Sequence, residues 1–359
     1  MIFEGLEKIG DIGWRIRVSV VSLCILPICI SFLLLVGCGP GKPNERAIDY
    51  LTVDGNAMGT TWSVQYQGAV GEAAQVREAI NRLLVKLDDS MSTWRDGTDI
   101  SRFNASDSTN WISVSTDMVE VIDAARIIHG KSGGALDPSV FPLIRLWGFT
   151  SSEPLAALPS DSSVAERFAL VGFERIGLQR EMAAIRKGAV GMEIDLSAIA
   201  KGYAVDRVSA LLVKRSITNH LVEIGGELFG LGMSSKGRPW RVGLELPIVG
   251  ASEIGQAVEL SPGALATSGD YRNYIPIGEQ RYAHIIDPKT GRPLLQQGIA
   301  VSVKATNCMM ADGWATALTV LGVEQGSAIA EQMGVAANFS WMQDGEVVEQ
   351  WTSHWKGTD

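Results

Sequence analysis

Cysteine is scarce in this chain, and its placement rules out a disulfide framework. Of four cysteines, Cys24 and Cys29 lie in an apolar leader, Cys38 ends that leader, and only Cys308 belongs to the rest of the chain. An intrachain bridge needs two. Basic clusters are missing too. The net charge is −9 and no Lys/Arg stripe is present, which argues against a nucleic-acid partner bound by phosphate neutralisation. No segment repeats at a period of roughly 20–50 residues, so solenoids and propellers are excluded. There is no Gly-x-Gly-x-x-Gly, Walker loop, Cys/His metal spacing or Gly-x-Ser-x-Gly elbow, which removes the usual support for Rossmann, P-loop and serine-hydrolase readings.

What is present starts with a targeting segment. Arg15 and Arg17 precede an almost wholly apolar run over 18–36, which ends in Leu35-Val36-Gly37-Cys38. Small residues before a cysteine form a lipobox. This pattern predicts a lipoprotein signal peptide over 1–37, with Cys38 freed by cleavage to carry a lipid. The run is also near the roughly 20 residues that span a bilayer, so an uncleaved helix is the alternative. Either reading puts the remainder outside the cytoplasm. Residues 38–47 then read as lipidated cysteine and polar tether, and residues 48–355 as the folded domain. A hydrophobic share of 46% with dispersed charge fits an ordinary globular core.

Hydrophobic periodicity sketches that domain. Alternation over 60–67 predicts a strand, and Val76, Ile80, Leu83, Leu84 and Leu87 recur at helical spacing within 71–88. The same spacing marks a helix over 116–129 through Met118, Val121, Ile122, Ala125 and Ile128, stopped by Gly133-Gly134. A short helix is expected over 163–170, a hairpin of short strands over 175–192 and a long helix over 196–214. Further strands are expected over 221–233, 240–246, 257–260, 264–269, 282–286 and 299–305. Helices over 309–321 and 323–333 and strands over 336–342 and 347–351 complete the chain. Strands mostly follow one another, which predicts an α+β fold with a largely antiparallel sheet core and flanking helices.

Glycines and carboxylates gather in blocks separated by these elements, as expected of one site built from loops. Asp195 and Ser197 precede a helix whose first turn carries little bulk, with Lys201 one turn on. That start suits an anion, though a simple N-cap by Asp195 or Ser197 explains it equally. Val222-Glu223-Ile224-Gly225-Gly226-Glu227 is a strand running into paired glycines, fit for close ligand approach or merely for a tight turn. Asp312 and Thr316, four apart on one helix face, offer hard oxygens that suit magnesium; one solvated acid and one back-bonded threonine is the plainer reading. His284 sits on a strand leading into Asp287-Pro288-Lys289-Thr290-Gly291. It is placed for either a structural role or a general base.

Taken in order, these blocks resemble the FAD:protein FMN transferases, the ApbE family. The resemblance rests on Met58-Gly59-Thr60, Met91-Ser92-Thr93, Gly133-Gly134-Ala135-Leu136-Asp137, Val222 to Gly226, Thr267-Ser268-Gly269-Asp270-Tyr271-Arg272-Asn273, His284 to Pro288 and Ala311-Asp312. It covers nearly the whole chain after the tether, and the lipobox agrees with it.

The resemblance implies an ApbE-like fold and an FAD-binding pocket at Met58, Trp94, Ala135, Leu136, Asp137, Asp195 and Lys201. Trp94 replaces a tyrosine common in the family, and Lys201 stands where some members have glutamate. It also implies magnesium held by Asp312, Thr316 and the backbone carbonyl of Ala198, with His284 as general base. The activity implied is transfer of FMN from FAD to a Thr or Ser hydroxyl of an acceptor flavoprotein, within a Ser/Thr-Gly-Ala-Ser/Thr-like segment, with release of AMP. A magnesium-dependent FAD pyrophosphatase and a non-catalytic flavin-binding lipoprotein are the alternatives. The expected location is the periplasmic side of a bacterial membrane, the inner one favoured, held by the lipid on Cys38.

Overall fold

Strand alternation and helical periodicity are both realised, and together they build a sheet with helices on one face. The computed structural model describes residues 49–151, 157–247, 254–270, 274–277, 280–296 and 298–358. The predicted signal peptide, Cys38 and the tether lie outside the described residues, as do Tyr271, Arg272 and Asn273. In chain order the elements are β1 (Asp49–Ala57), β2 (Thr60–Gly68), α1 (Ala73–Met91), α2 (Asp99–Ala105), β3 (Ile112–Ser113), α3 (Thr116–Lys131), α4 (Phe141–Leu146), α5 (Asp161–Phe168), β4 (Gly177–Gln179), β5 (Ala184–Arg186), α6 (Ser197–Lys214), β6 (His220–Ile224), β7 (Glu227–Leu231), β8 (Trp240–Glu245), β9 (Ile254–Leu260), β10 (Gly263–Gly269), β11 (Tyr274–Ile277), β12 (Gln280–Asp287), β13 (Arg292–Leu295), β14 (Ile299–Ala305), α7 (Cys308–Met333), β15 (Ala336–Gln343) and β16 (Glu346–Trp351).

The main sheet runs β1-β2-β6-β7-β10-β14-β15-β16. Each pairing along it is antiparallel, so the α+β expectation holds. Side chains alternate across it, as a pleated strand requires. Ala264 and Ala266 of β10 face the main core, which includes Ile80, Ile122, Tyr203 and Leu318 from α1, α3, α6 and α7. Leu265 between them joins Leu244, Val258, Leu260 and Trp355 on the opposite face, beneath the β8–β9 ribbon. A small satellite of Leu143, Trp147, Val164 and Ile286 ties α4 and α5 to β12. No helix among the described residues is long and apolar enough to cross a membrane.

Periodicity predicted two helices over 309–321 and 323–333, and α7 is one run interrupted between them. Gly322 sits at φ 72°, ψ −179°, a backbone state that glycine adopts without the steric cost of a Cβ. Helices α6 and α7 touch at Gly202. An added Cβ there would stand 2.3 Å from the Cys308 carbonyl oxygen and 2.8 Å from Asp312 Cβ. Gly202→Ala is therefore expected to cost about 1–3 kcal/mol by overpacking against rigid backbone. A thermal melt checks this, and an unchanged melting temperature would contradict the tight crossing.

Candidate active site

Two tight hairpins bring their tips to the same place. The β1–β2 turn is Met58-Gly59, with φ of 52° and 73°, and the β6–β7 turn is Gly225-Gly226, with φ of 63° and 101°. Positive φ at both central residues gives the twist that antiparallel neighbours need. Gly225 also leaves room for its neighbours: a Cβ there would press on Thr60 Cγ2 at 2.9 Å and on Lys201 Cδ at 3.3 Å. Met58 tolerates the left-handed region without that freedom, a strained state of the kind that concentrates at functional sites.

The tips border a cleft of about 440 Å³. Its walls include Met58, Ala135, Leu136, Asp137, Asp195, Ala198, Lys201, His284, Asp312 and Thr316. Residues predicted from blocks up to about 250 positions apart thus share one cavity. Trp94 is the exception. Its side chain is 72% exposed and does not line the cleft, although Thr93 beside it donates a 3.0 Å hydrogen bond to Asp195 Oδ2.

Helix ends place the polar groups. Asp206 of α6 accepts from the Cys308 and Met309 amides at 2.7 and 2.9 Å, and Asn307 accepts from Met310 at 2.9 Å. These bonds cap the start of α7 and fix Asp312 in its second turn. Burial pushes the Asp206 carboxyl up to about 6, with the two amide bonds pulling it back. Asp312 is itself buried, and its Oδ2 accepts from the Gly202 amide at 2.9 Å. In a regular helix that amide also serves the Ala198 carbonyl, so this bond ties Asp312 to the turn that carries Ala198. The back-bonded threonine of α7 is Thr319, which donates to Ala315 at 2.8 Å; Thr316 instead lines the cleft.

Lys201 lies between two carboxylates. Its Nζ is 2.6 Å from Glu227 Oε1 and 4.0 Å from Asp312 Oδ1. Burial alone would lower its pKa, but Asp312 and Glu227 hold the ammonium above its ordinary value. Burial, and then the charge of Asp312, push Glu227 upward against the pull of Lys201. Glu227 Oε2 is buried without a hydrogen-bond partner. The charge is met by Lys201; what is unmet is one hydrogen bond, an uncommon state for a buried acceptor.

The remaining predicted residues divide into anchors and walls. Asp195 Oδ1 accepts from the Ser197 amide at 2.7 Å and from its hydroxyl; α6 itself starts from Leu196 with no side-chain cap, so Asp195 closes the turn before the helix, is not its N-cap, and still lines the cleft. Asp137 turns its carboxylate into its own loop, accepting from the Ser139 amide and hydroxyl at 2.8 and 2.5 Å; burial raises it, and these bonds lower it. His284 is exposed on β12 at the cleft's edge. The turn after it is built as the sequence implied, with Asp287 accepting from Lys289 and Thr290 at 2.8 and 3.0 Å. In the sequence Glu227 shows only as an acid directly after paired glycines. Ile144 and Val140 also line the cleft without a sequence signal, because six-residue α4 is too short to show a period and Val140 lies in the turn before it.

The sequence profile of the ApbE family matches residues 58–339. The chain belongs to the ApbE family. An FAD:protein FMN transferase of Vibrio cholerae serotype O1 is 39% identical over 303 residues, covering 84% of this chain and 88% of its own. One from Escherichia coli K12 is 30% identical over 338 residues, covering 93% and 96%. Among solved structures, the flavin transferase ApbE from Vibrio cholerae matches with TM-score 0.79 at 36% identity, over 87% of this chain and all of its own. The ApbE protein of Thermotoga maritima gives 0.75 at 26% identity, over 86% and 99%. The α+β fold of this ApbE chain is therefore the fold of its relatives.

Proposed function

We propose that this protein transfers FMN from FAD to a Thr or Ser hydroxyl of an acceptor flavoprotein, in a Ser/Thr-Gly-Ala-Ser/Thr-like segment, releasing AMP. One observation carries the reading. A single cleft is lined by buried Asp312, half-buried Thr316 and Ala198, and exposed His284.

The donor set fits magnesium. Asp312 carboxylate, Thr316 hydroxyl and the Ala198 carbonyl are all oxygens, which a hard cation prefers; among the described residues no group of three or more His, Cys, Asp or Glu is placed to hold a metal ion, so the donors offered are one carboxylate and neutral oxygens. When bound, the ion supplies charge neutralisation on the FAD pyrophosphate. The α6 N-terminus adds its positive dipole end to the same anion. Met58, Ala135, Leu136 and Asp137 form the wall against which FAD lies. His284 takes the proton of the acceptor hydroxyl. That oxygen then bonds to the FMN-side phosphorus while the bond to the AMP oxygen breaks.

Hydrolysis puts water in the acceptor's place. The exposure of His284 favours transfer, because a base on the open rim can be reached by a protein segment. Following AMP release from FAD with magnesium, with and without acceptor, separates the two: release that depends on acceptor supports transfer, and equal release in both supports hydrolysis.

The leader adds location. The mature chain is expected to begin at Cys38 and to be held by lipid on the periplasmic side of the membrane, the inner one favoured. Intact mass of the membrane-extracted protein checks this. A chain still containing residues 25–30 would contradict it.

A further inference from the structure

Among the buried charges of the cleft, Glu227 is the one that the proposed reaction leaves without a task. It opens β7 directly after the Gly225-Gly226 turn, is 3% exposed, and carries an unpartnered Oε2. Its Oε1 holds Lys201 Nζ at 2.6 Å. The same Nζ lies 4.0 Å from Asp312 Oδ1, close enough for strong attraction and too far for a hydrogen bond. Two carboxylates compete for one ammonium, and Glu227 holds it. The route of the lysine is confined as well, since its Cδ runs along the space left by the missing Cβ of Gly225. Without Glu227, the ammonium has Asp312 as the carboxylate beside it, and an ion pair formed there would occupy the oxygen that a hard cation needs.

We infer that Glu227 is a positioning residue: it holds the Lys201 ammonium away from Asp312 and so keeps that carboxylate available to a divalent cation. The inference rests on the reading of Asp312 as a metal ligand. With Lys201 and Glu227 neutralising each other, the charge of Asp312 is left for the cation.

The test is calorimetric titration of Mg²⁺ alone into the full chain, for wild type, Glu227→Gln, Lys201→Met and the double variant, with melting temperatures on the same preparations. Glu227→Gln is expected to weaken Mg²⁺ binding by at least about tenfold, as the freed ammonium moves onto Asp312. Lys201→Met should bind at least as tightly as wild type. The double variant should return to within about threefold of wild type, because its cleft again has the charge of Asp312 alone. That rescue is what a merely structural role of Glu227 would not produce. Glu227→Gln binding like wild type would overturn the inference, as would a double variant as weak as Glu227→Gln. If Glu227→Gln does not fold, Glu227→Asp withdraws the carboxylate from the ammonium by one methylene and loosens its hold, and wild-type affinity there overturns it equally. Wild type that binds no Mg²⁺, or binds it equally well as Asp312→Ala, defeats the metal reading itself and the inference with it, a result distinct from those above.

Discussion

Asp312→Ala is expected to abolish magnesium-dependent AMP release while the protein stays folded. The carboxylate is the charged oxygen of the proposed metal donor set. Losing it removes several kcal/mol of charge stabilisation, so turnover should fall by roughly 10³-fold or more. The fold should survive, because the Lys201–Glu227 pair, 2.6 Å apart, does not depend on Asp312, and a negative charge that disfavours ionised Glu227 is gone. What is lost structurally is one acceptor for the Gly202 amide, a matter of about 1 kcal/mol. Thr316→Ala removes a neutral donor that water can replace, and should be milder. The check is a magnesium titration of AMP release beside a thermal melt. A folded Asp312→Ala protein with unchanged magnesium dependence would take Asp312 out of the metal site.

His284→Ala is expected to lower transfer by roughly 10²–10⁴-fold, the usual worth of a positioned base, with FAD affinity near normal. In the proposed mechanism His284 acts on the acceptor's proton, while other residues of the cleft meet FAD. The competing role is packing on β12. Its exposure means that truncation there should cost little stability, since surface substitutions usually fall within about 0.5 kcal/mol. FAD affinity, melting temperature and rate measured on one preparation distinguish the two. A stable variant with full activity would remove His284 from the mechanism.

Much of this architecture was legible because the periodic segments are long and strongly patterned. Helix α3 buries Met118, Val121, Ile122, Ala125 and Ile128, the stripe that the sequence predicted, and Gly322 interrupts α7 where two helices were expected to meet. Strand β1 was not legible. Its Asp49–Ala57 stretch mixes Asp, Gly and Asn among the apolar residues, and it is held as a strand by pairing with β2 at the sheet edge. Helix α2 was missed for want of length. Its start is set by Thr98, whose hydroxyl accepts from Ser101 at 3.1 Å.

The site divides in the same way. Short motifs located the walls of the cleft, because glycine turns and the Asp195 turn before α6 are encoded locally. Glu227 was invisible as a partner of Lys201 and Asp312, since three elements far apart in sequence must fold before the three charges meet. Trp94 shows the converse: its motif placed it in the pocket, and its position beside Thr93 leaves the ring exposed at 72%.

The most direct measurement of the central claim is the intact mass of an acceptor protein carrying a Ser/Thr-Gly-Ala-Ser/Thr segment, after incubation with this protein, FAD and magnesium. The account predicts a gain of one FMN less one water, absent when the acceptor hydroxyl is changed to alanine and absent with Asp312→Ala. An acceptor of unchanged mass, in a mixture where FAD has been split to FMN and AMP, would contradict it.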